Sequence, residues 1–481
     1  LNSSPALAKE YLAIGNDEGA IDFYPVDVDP KRDAAKAVWS FPISTAGKVN
    51  GAIVTSPAIA DGRVYFGGED GILYGLGQGP EAPLVEAVKS EQAHIWPGKQ
   101  LKGSEWLTAG GDMGFSFVAA DTQLEPPLRV RWRTRIWGVR KGGAVVADGK
   151  VFVSGRSGQL DALDAETGEV IWRYIHPHVG SFCAPTYAEG KLLVLRGGLG
   201  SPGAKGQDGI WCHDASTGRL LWHVPQPQPT AGYGAASEGT PAYKGKALAC
   251  WSDLAGGLHL AAYSLTDGKE VWSRHHKQLL PALENPNVIV TQGAVGADKW
   301  FCSFNQMTRR AEKSKSGLTL ALNPENGDIL WKSAEVYIDG RDRYYMGRVS
   351  FRNKLVVVFH QGVAGTALDA ETGKVLWKGG NVNCYAVPLS DVYLESQGKS
   401  GTISGAYCGA HAFANGHWYG QAGFNSSLMV ARTLAAKKET EVWSWLTQGR
   451  SCACPAPAYG RLYYCSNEGV VYCFENEKKD K

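Results

Sequence analysis

Several features that would give this 481-residue chain an easy reading are missing. It holds no unbroken apolar run of about 18 residues, which excludes a membrane-spanning helix. No window sustains the apolar period of an amphipathic helix, so very little helix is expected. Charge gives no lean. Lys and Arg number 49 against 47 Asp and Glu, a net of +2, and nothing draws the chain toward nucleic acid or an anionic membrane. The one charge-dense run, RRAEKSK at 309–315, reads as a solvated loop. The ten cysteines make no CxxC pair and no CxxCH haem-attachment site. Leu1 is preceded by neither Met nor a signal peptide, so the expectation is that something has been removed upstream.

What the chain has in quantity is glycine (60), tryptophan (16) and repetition. ALDAETGEVIW begins at Ala162 and ALDAETGKVLW at Ala367. Weaker copies read CHDASTGRLLW from Cys212, AYSLTDGKEVW from Ala262 and ALNPENGDILW from Ala321. In all of them a Gly stands four residues before a Trp: Gly168/Trp172, Gly218/Trp222, Gly268/Trp272, Gly327/Trp331 and Gly373/Trp377. Degenerate relatives end at Trp39, Trp132 and Trp443. A second phrase precedes the first, most clearly TSPAIADGRVYFGGEDGILYGL at 55–76. It reads as three short strands joined by turns. With the Trp strand, each unit has four antiparallel strands in roughly 40–60 residues, the size of one propeller blade. The Trp reads as a wedge between blades.

Full units finish at Trp172, Trp222, Trp272, Trp331, Trp377 and Trp443. The 66 residues between the last two hold two candidate first strands, VNCYAVPLSDVYLE and GAYCGAHAFANGHWYG, which read as one reduced and one full blade. The final copy lacks its Trp strand, and the strand at 127–135 lacks its own blade. Joining them removes two open edges. The expected fold is therefore all-β: an eight-bladed propeller (seven-bladed in the alternative) over 105–476, closed by an N-terminal strand in the C-terminal blade. Residues 1–80 read as two blade-like repeats from the end of a preceding propeller, 81–104 as a linker and 477–481 as a charged tail.

The ALDAETG copies resemble the pyrroloquinoline-quinone-like (PQQ-like) repeat propellers. This family includes quinoprotein alcohol dehydrogenases and the periplasmic propeller lipoprotein of the outer-membrane β-barrel assembly machinery. WLTAGGDMG followed by PPLRVRWR resembles propeller openings in tandem-propeller proteins of secreted bacterial type. The resemblance implies a periplasmic or extracellular protein. For the enzymatic branch it implies a quinone on the axis, against a disulfide of adjacent cysteines, over a calcium held by Glu, Asn and Asp. This chain offers only Cys452-Ala453-Cys454, and no calcium trio stands out. No cofactor is expected.

Two sets of residues are candidates for chemistry. Cys183, Cys384, Cys408, Cys452 and Cys454 fall in or near innermost strands. They read as apolar filler, a disulfide, or ligands for a soft metal such as zinc or copper(I). Cys212, Cys250, Cys302, Cys465 and Cys473 read as core of outer strands. The loops entering the innermost strands carry His176, His178, His275, His276, Arg343, Tyr344, Tyr345 and Arg348, with Arg140 and Lys141 nearby. Three functions follow. The leading one is a non-catalytic scaffold that binds a protein or glycan on this funnel face. A second is a polysaccharide lyase or hydrolase using its His, Tyr and Arg. The third is a quinone-dependent dehydrogenase. No catalytic residue is assigned, and the oligomeric state is not legible.

Overall fold

Two turns, used again and again, generate the architecture. The first joins the first and second strands of a sheet. At Asp148–Gly149 both residues have positive φ (49° and 67°), as do Asn415–Gly416 (45° and 74°). Two consecutive left-handed residues make the tight hairpin whose twist matches that of the strands it joins. The second turn lies in the DAETG phrase. Asp164 Oδ1 accepts the backbone N–H groups of Glu166 (2.7 Å) and Thr167 (2.8 Å). Gly168, at φ 77°, returns its N–H to the Asp164 carbonyl. Asp214 and Asp369 do the same in their copies. The phrase is thus a side-chain-capped turn ending in an obligatory glycine.

The computed structural model describes residues 4–16, 19–27, 36–42, 53, 55–68, 73–78, 101–120, 123–136, 143–155, 158–176, 184–196, 209–225, 230–232, 239–253, 258–275, 278, 288–290, 293–306, 317–333, 348–360, 363–381, 387–397, 411–423, 426–435, 438–448 and 453–477. Contacts divide the chain into two units. The first is Leu1–Ile95 with Ser157–Gln159 and Ile175–Val179, and the second comprises the rest.

In the first unit, Ala6–Ala8, Tyr11–Gly15, Ala20–Pro25 and Trp39–Pro42 form a four-stranded sheet. Ala58–Ala60, Arg63–Gly67 and Leu73–Leu76 form a sheet of three. Ala13, Ile21, Ile53 and Phe66 are its buried core.

The remaining seven sheets are antiparallel, and each runs in chain order from first to last strand except one. Counting Thr230–Gly232 and Val288–Val290 as extra pieces that pair on the same second strands as Ala242–Tyr243 and Ala294–Gly296, their first strands are Val145–Ala147, Thr186–Ala188, Ala242–Tyr243, Ala294–Gly296, Val349–Arg352, Ala412–Ala414 and Ala456–Ala458. These strands are neighbours: Val145–Ala147 touches both Thr186–Ala188 and Ala456–Ala458, and Ala412–Ala414 touches Ala456–Ala458. In the exceptional sheet the fourth strand is Leu128–Arg135. It pairs along Val470–Asn476, with Trp132 opposite Cys473. The chain is all-β, with four-stranded antiparallel sheets of propeller type and very little helix among the described residues.

The tryptophans link one sheet to the next. Trp132 donates its indole N–H to Ala165 O, Trp172 to Ala215 O and Trp222 to Leu265 O. Trp272 donates to Pro324 O, Trp331 to Ala370 O and Trp443 to Leu128 O. For the first five the acceptor lies in the turn of the following sheet, three residues before the repeated glycine, whereas Trp443 reaches the first residue of the strand Leu128–Arg135. A Cβ built on Gly168, Gly218 or Gly373 would lie 2.5 Å from the preceding sheet's Trp ring. The glycine therefore serves twice, as a left-handed residue and as the floor under an indole.

Trp377 differs. It meets Tyr393 edge-on at 6.0 Å. Tyr393 belongs to a short helix, Asp391–Glu395, whose N-cap Ser390 accepts the Tyr393 N–H at 3.4 Å. The stretch VNCYAVPLSDVYLE, expected as strand in the reduced blade, carries this helix in its described part. The Ser-Asp pair at 390–391 is a helix start that outweighs the short apolar run before it.

Gly190 and Gly218 separate the glycine's two duties. Gly190 (φ 73°) has open space where a Cβ would go, whereas Gly218 (φ 74°) has the Trp172 ring. Gly190→Ala is expected to cost about 1–2 kcal/mol, for the left-handed backbone alone. Gly218→Ala is expected to cost roughly 1–3 kcal/mol more, for the displaced indole. Urea denaturation of both variants measures the difference. Equal losses would mean that the indole does not depend on the glycine floor.

Candidate functional site at the inner strand edges

A first strand pairs with its second strand on one side only. Its other edge carries backbone N–H and C=O groups that must find partners if they are buried. In this protein the partner is the segment 104–119, which runs as a belt past one first strand after another. Trp106 and Val146 exchange both backbone bonds, at 2.8 and 2.7 Å. Leu107 O accepts from Tyr187 N, Met113 O from Val295 N, and Gly114 O from Phe351 N. Ser116 O accepts from Leu389 N, and Phe117 O from Phe413 N, whose carbonyl takes the Ala119 N–H. The Met113 sulfur accepts the Ala242 N–H at 3.4 Å. Ser104 O, where the belt begins, accepts from Tyr459 N in the last sheet. Leu124 O, just past its end, accepts from Asn415 Nδ2.

The sequence of the belt explains its shape. Thr108 Oγ1 donates to Asp112 O at 2.7 Å and accepts the Gly110 N–H at 3.1 Å, closing a tight loop. Gly111, at φ 91°, lies against the Trp106 ring, where a Cβ would come within 2.9 Å. Phe115 and Phe117 both adopt left-handed backbone, at φ 50° and 57°. That conformation is costly for bulky residues. Their rings are almost completely buried, which offsets the cost. Arg348 lays its guanidinium over the Phe117 ring at 5.4 Å.

The belt's two carboxylates are both engaged: Glu105 Oε1 accepts Asp148 N and the Tyr459 hydroxyl, each at 2.9 Å. Asp112 accepts Ser116 Oγ at 2.6 Å and Ser116 N at 3.1 Å. Burial nonetheless raises its pKa, against the opposing pull of those bonds and of Arg352. Nearby, His411 is buried just before the first strand Ala412–Ala414, its ring against the Gly420 backbone. Neither ring nitrogen has a partner among the described residues. Burial first, and the Arg432 charge second, lower its pKa to about 4. Ser104 Oγ, Trp106 Nε1, Thr186 Oγ1, Thr240 Oγ1 and Ser350 Oγ are likewise buried without a partner among the described residues. All lie in the belt or at the first strands. An unpaired buried polar group costs about 1–3 kcal/mol, so this inner layer has the most to gain from a polar guest.

The residues read from the sequence as a funnel do not gather into one open site among those described. His176 is buried, with Nδ1 2.7 Å from Gly158 O. His275 is half-buried, edge-on to His259 at 4.7 Å, and His259 in turn stacks on Trp251. Arg348 is buried beneath the belt. His178, His276, Arg343, Tyr344 and Tyr345 lie outside the described residues, as do Cys183, Cys384, Cys408 and Cys452. Cys454 is buried and donates to Pro455 O at 3.3 Å. Among the described residues no group of three or more His, Cys, Asp or Glu is placed to hold a metal ion. The belt was missed by sequence reasoning. Its signal was a non-repeating segment that combines Gly110, Gly111 and Gly114 with Trp106, Phe115 and Phe117.

Known proteins place this architecture. A family model described as outer membrane protein assembly factor BamB matches residues 125–279. The dehydrogenase subunit of a quinone alcohol dehydrogenase from Gluconobacter oxydans is 28% identical over 49% of this chain and 31% of its own length. A lanthanide-dependent methanol dehydrogenase from Methylacidiphilum fumariolicum is 25% identical over 49% of this chain and 38% of its own. The match therefore spans about a third of these relatives' length. Quinohemoprotein alcohol dehydrogenase from Comamonas testosteroni superposes with a TM-score of 0.57 at 13% identity, over 78% of this chain and 82% of that one. At that identity the likeness is one of fold alone.

His411 gives the inner layer a pH signature. Its folded pKa of about 4 lies below the ordinary 6.5. Between those values the unfolded chain takes up a proton that the folded chain refuses. Stability is therefore present above pH 6.5 and lost as pH falls toward 4, by about 3 kcal/mol in all. His411→Asn is expected to remove that part of the acid loss. Denaturation midpoints of both proteins at pH 4 and pH 7 check it. Parallel curves would show that His411 is solvated.

Proposed function

We propose that this chain, a member of the PQQ-like repeat β-propeller family, is a non-catalytic binding or scaffold module. It works in the periplasm or outside the cell, on a protein or glycan partner. In this reading the seven sheets of the second unit and the short unit around Asp391–Glu395 form one closed ring of eight positions, seven full and one reduced. The strand Leu128–Arg135 closes it. Residues 1–80 are then the end of another propeller. Among the described residues, no helix is long and apolar enough to cross a membrane.

One observation carries the reading: the belt. A quinone enzyme of this family keeps its cofactor on the axis, over a metal held by carboxylates and an amide. Here the inner edges of the first strands are hydrogen-bonded to protein backbone. The groups around them are indole, phenyl, hydroxyl and glycine. The two belt carboxylates are both engaged, Asp112 by Ser116 and Glu105 by Asp148 N and the Tyr459 hydroxyl. The described residues therefore do not fit a quinone over a metal. The burial of His176 and Arg348 also favours binding over proton transfer, since a lyase needs those groups open to its substrate. The partner docks on the face where the chain enters the first strands, the concavity that a propeller offers.

Reconstitution with pyrroloquinoline quinone and calcium, followed by dye-linked alcohol oxidation, is expected to give no turnover. Clear turnover would overturn the reading. A glycan array, with cross-linking of the protein to its neighbours, supplies the positive arm. A saturable partner is the expected outcome there, and failure to find one in both formats counts against a scaffold.

A further inference from the structure

We infer that His259 and His275 form a binding site for a divalent transition-metal ion of the copper(II) class, with water in its remaining positions. The two residues stand directly opposite each other on paired strands of one sheet, Leu258–Ser264 and Glu270–His275. Residues paired in this way point to the same face. Their imidazole centroids lie 4.7 Å apart, with the ring planes at 64°. A metal sits about 2.1 Å from each imidazole nitrogen it binds, hence about 3.2 Å from each ring centre. Two rings that meet at one metal, at an angle between a right angle and the tetrahedral one, therefore have centres about 4.5–5.2 Å apart. The observed spacing falls inside that window.

The surroundings hold the pair without sealing it. Both rings are half-buried. Trp251 stands opposite His259 on the adjoining strand and stacks on its ring, with centroids 5.4 Å apart and planes at 5°. The indole is 6% exposed and packed in core, so it is a fixed wall against one side of the site. Gln278 Oε1 accepts the His275 N–H at 2.9 Å. Gln278 also lines an open groove of about 430 Å³ with Arg274, Asp328 and Ile329, so the strand end at His275 borders solvent. Arg274 turns its guanidinium to Asn326 O (2.7 Å) and Asp328 (3.5 Å) of the next sheet, which engages its positive charge there. An imidazole has two nitrogens; one can bond to protein, fixing the ring, while the other takes a metal. Neutral nitrogen donors suit copper, nickel and zinc, and copper(II) heads the order of affinity, whereas calcium and magnesium require oxygen. Among the described residues no third His, Cys, Asp or Glu joins the pair. The ion is therefore exchangeable, and water holds its open positions. The site lies on third and fourth strands, away from the inner strand edges, and stands independently of the function proposed above.

Titration of the full chain with copper(II), in a buffer that does not bind metal, is expected to quench tryptophan fluorescence in a saturable phase, through Trp251. His259→Gln and His275→Gln are each expected to weaken that phase at least about tenfold. His417→Gln is expected to keep it, since that ring lies beside Asn415 O in another sheet. A second measurement uses the unmutated chain. Diethyl pyrocarbonate acylates accessible imidazoles, and cleavage after lysine releases peptide 247–269, whose one histidine is His259. Copper(II) is expected to lower the acylation of that peptide severalfold. Quenching that is the same in both site variants as in the unmutated chain would overturn the inference. So would equal acylation of 247–269 with and without copper(II), and this result decides the matter if a variant fails to fold.

Discussion

Everything in the larger unit depends on an indole lying over a glycine. A sheet in this protein cannot bury both faces by itself. It does so by placing the Trp of its fourth strand on the turn of the next sheet, where the absence of a Cβ at Gly218 or Gly373 leaves the ring its space. The indole N–H then finds a carbonyl in the same turn, which fixes direction as well as distance. Because donor and acceptor positions recur from Trp132 through Trp172, Trp222, Trp272 and Trp331, each of these sheets sets the orientation of its neighbour. The first strands are thereby brought together with their free edges inward. Those edges create the second demand, which the belt answers through backbone hydrogen bonds that no repeat could supply.

The seam shows how electrostatics follows this geometry without creating it. Leu128–Arg135 brings Arg129 and Arg131 against Glu475, at 2.6 and 2.8 Å. Arg131 and Arg461 both reach Glu166 in the adjoining sheet. Exposed pairs of this kind contribute little individually, about 0–1 kcal/mol. The ladder of backbone bonds and the buried Trp132 hold the strand, and its alternation of buried and exposed residues fixes the register.

Most of this was legible where the chain repeats itself. The Gly-to-Trp spacing announced the sheets because one physical contact recurs. The pairing of 128–135 with the last sheet could be read from two complementary defects, a blade without its Trp strand and a Trp strand without its blade. What was illegible has two causes. The belt works through main-chain groups, which any sequence possesses, so only its glycines and aromatics hinted at close approach. The spacing put His176 and Arg348 in loops entering the first strands, but spacing cannot say whether a side chain turns outward. Arg348 turns inward because Phe117 offers it a ring, and that ring belongs to a segment more than 200 residues earlier. Cys250 and Cys302 were read as core, and they are buried. They share one buried cluster that joins two different repeats, and periodicity carries no information about it.

The belt also sets a calendar for assembly. It leaves the ribosome ahead of every strand it will serve, so Trp106, Phe115 and Phe117 have no sheet to cover them while the rest of the unit is made. Leu128–Arg135 waits longest, because its partner Val470–Asn476 is almost the last part of the chain to appear. Contacts this distant in sequence slow folding and leave strand edges unpaired meanwhile. A nascent chain of this design therefore keeps apolar rings and strand edges open to its surroundings until its final strand arrives and gives the early segments a place.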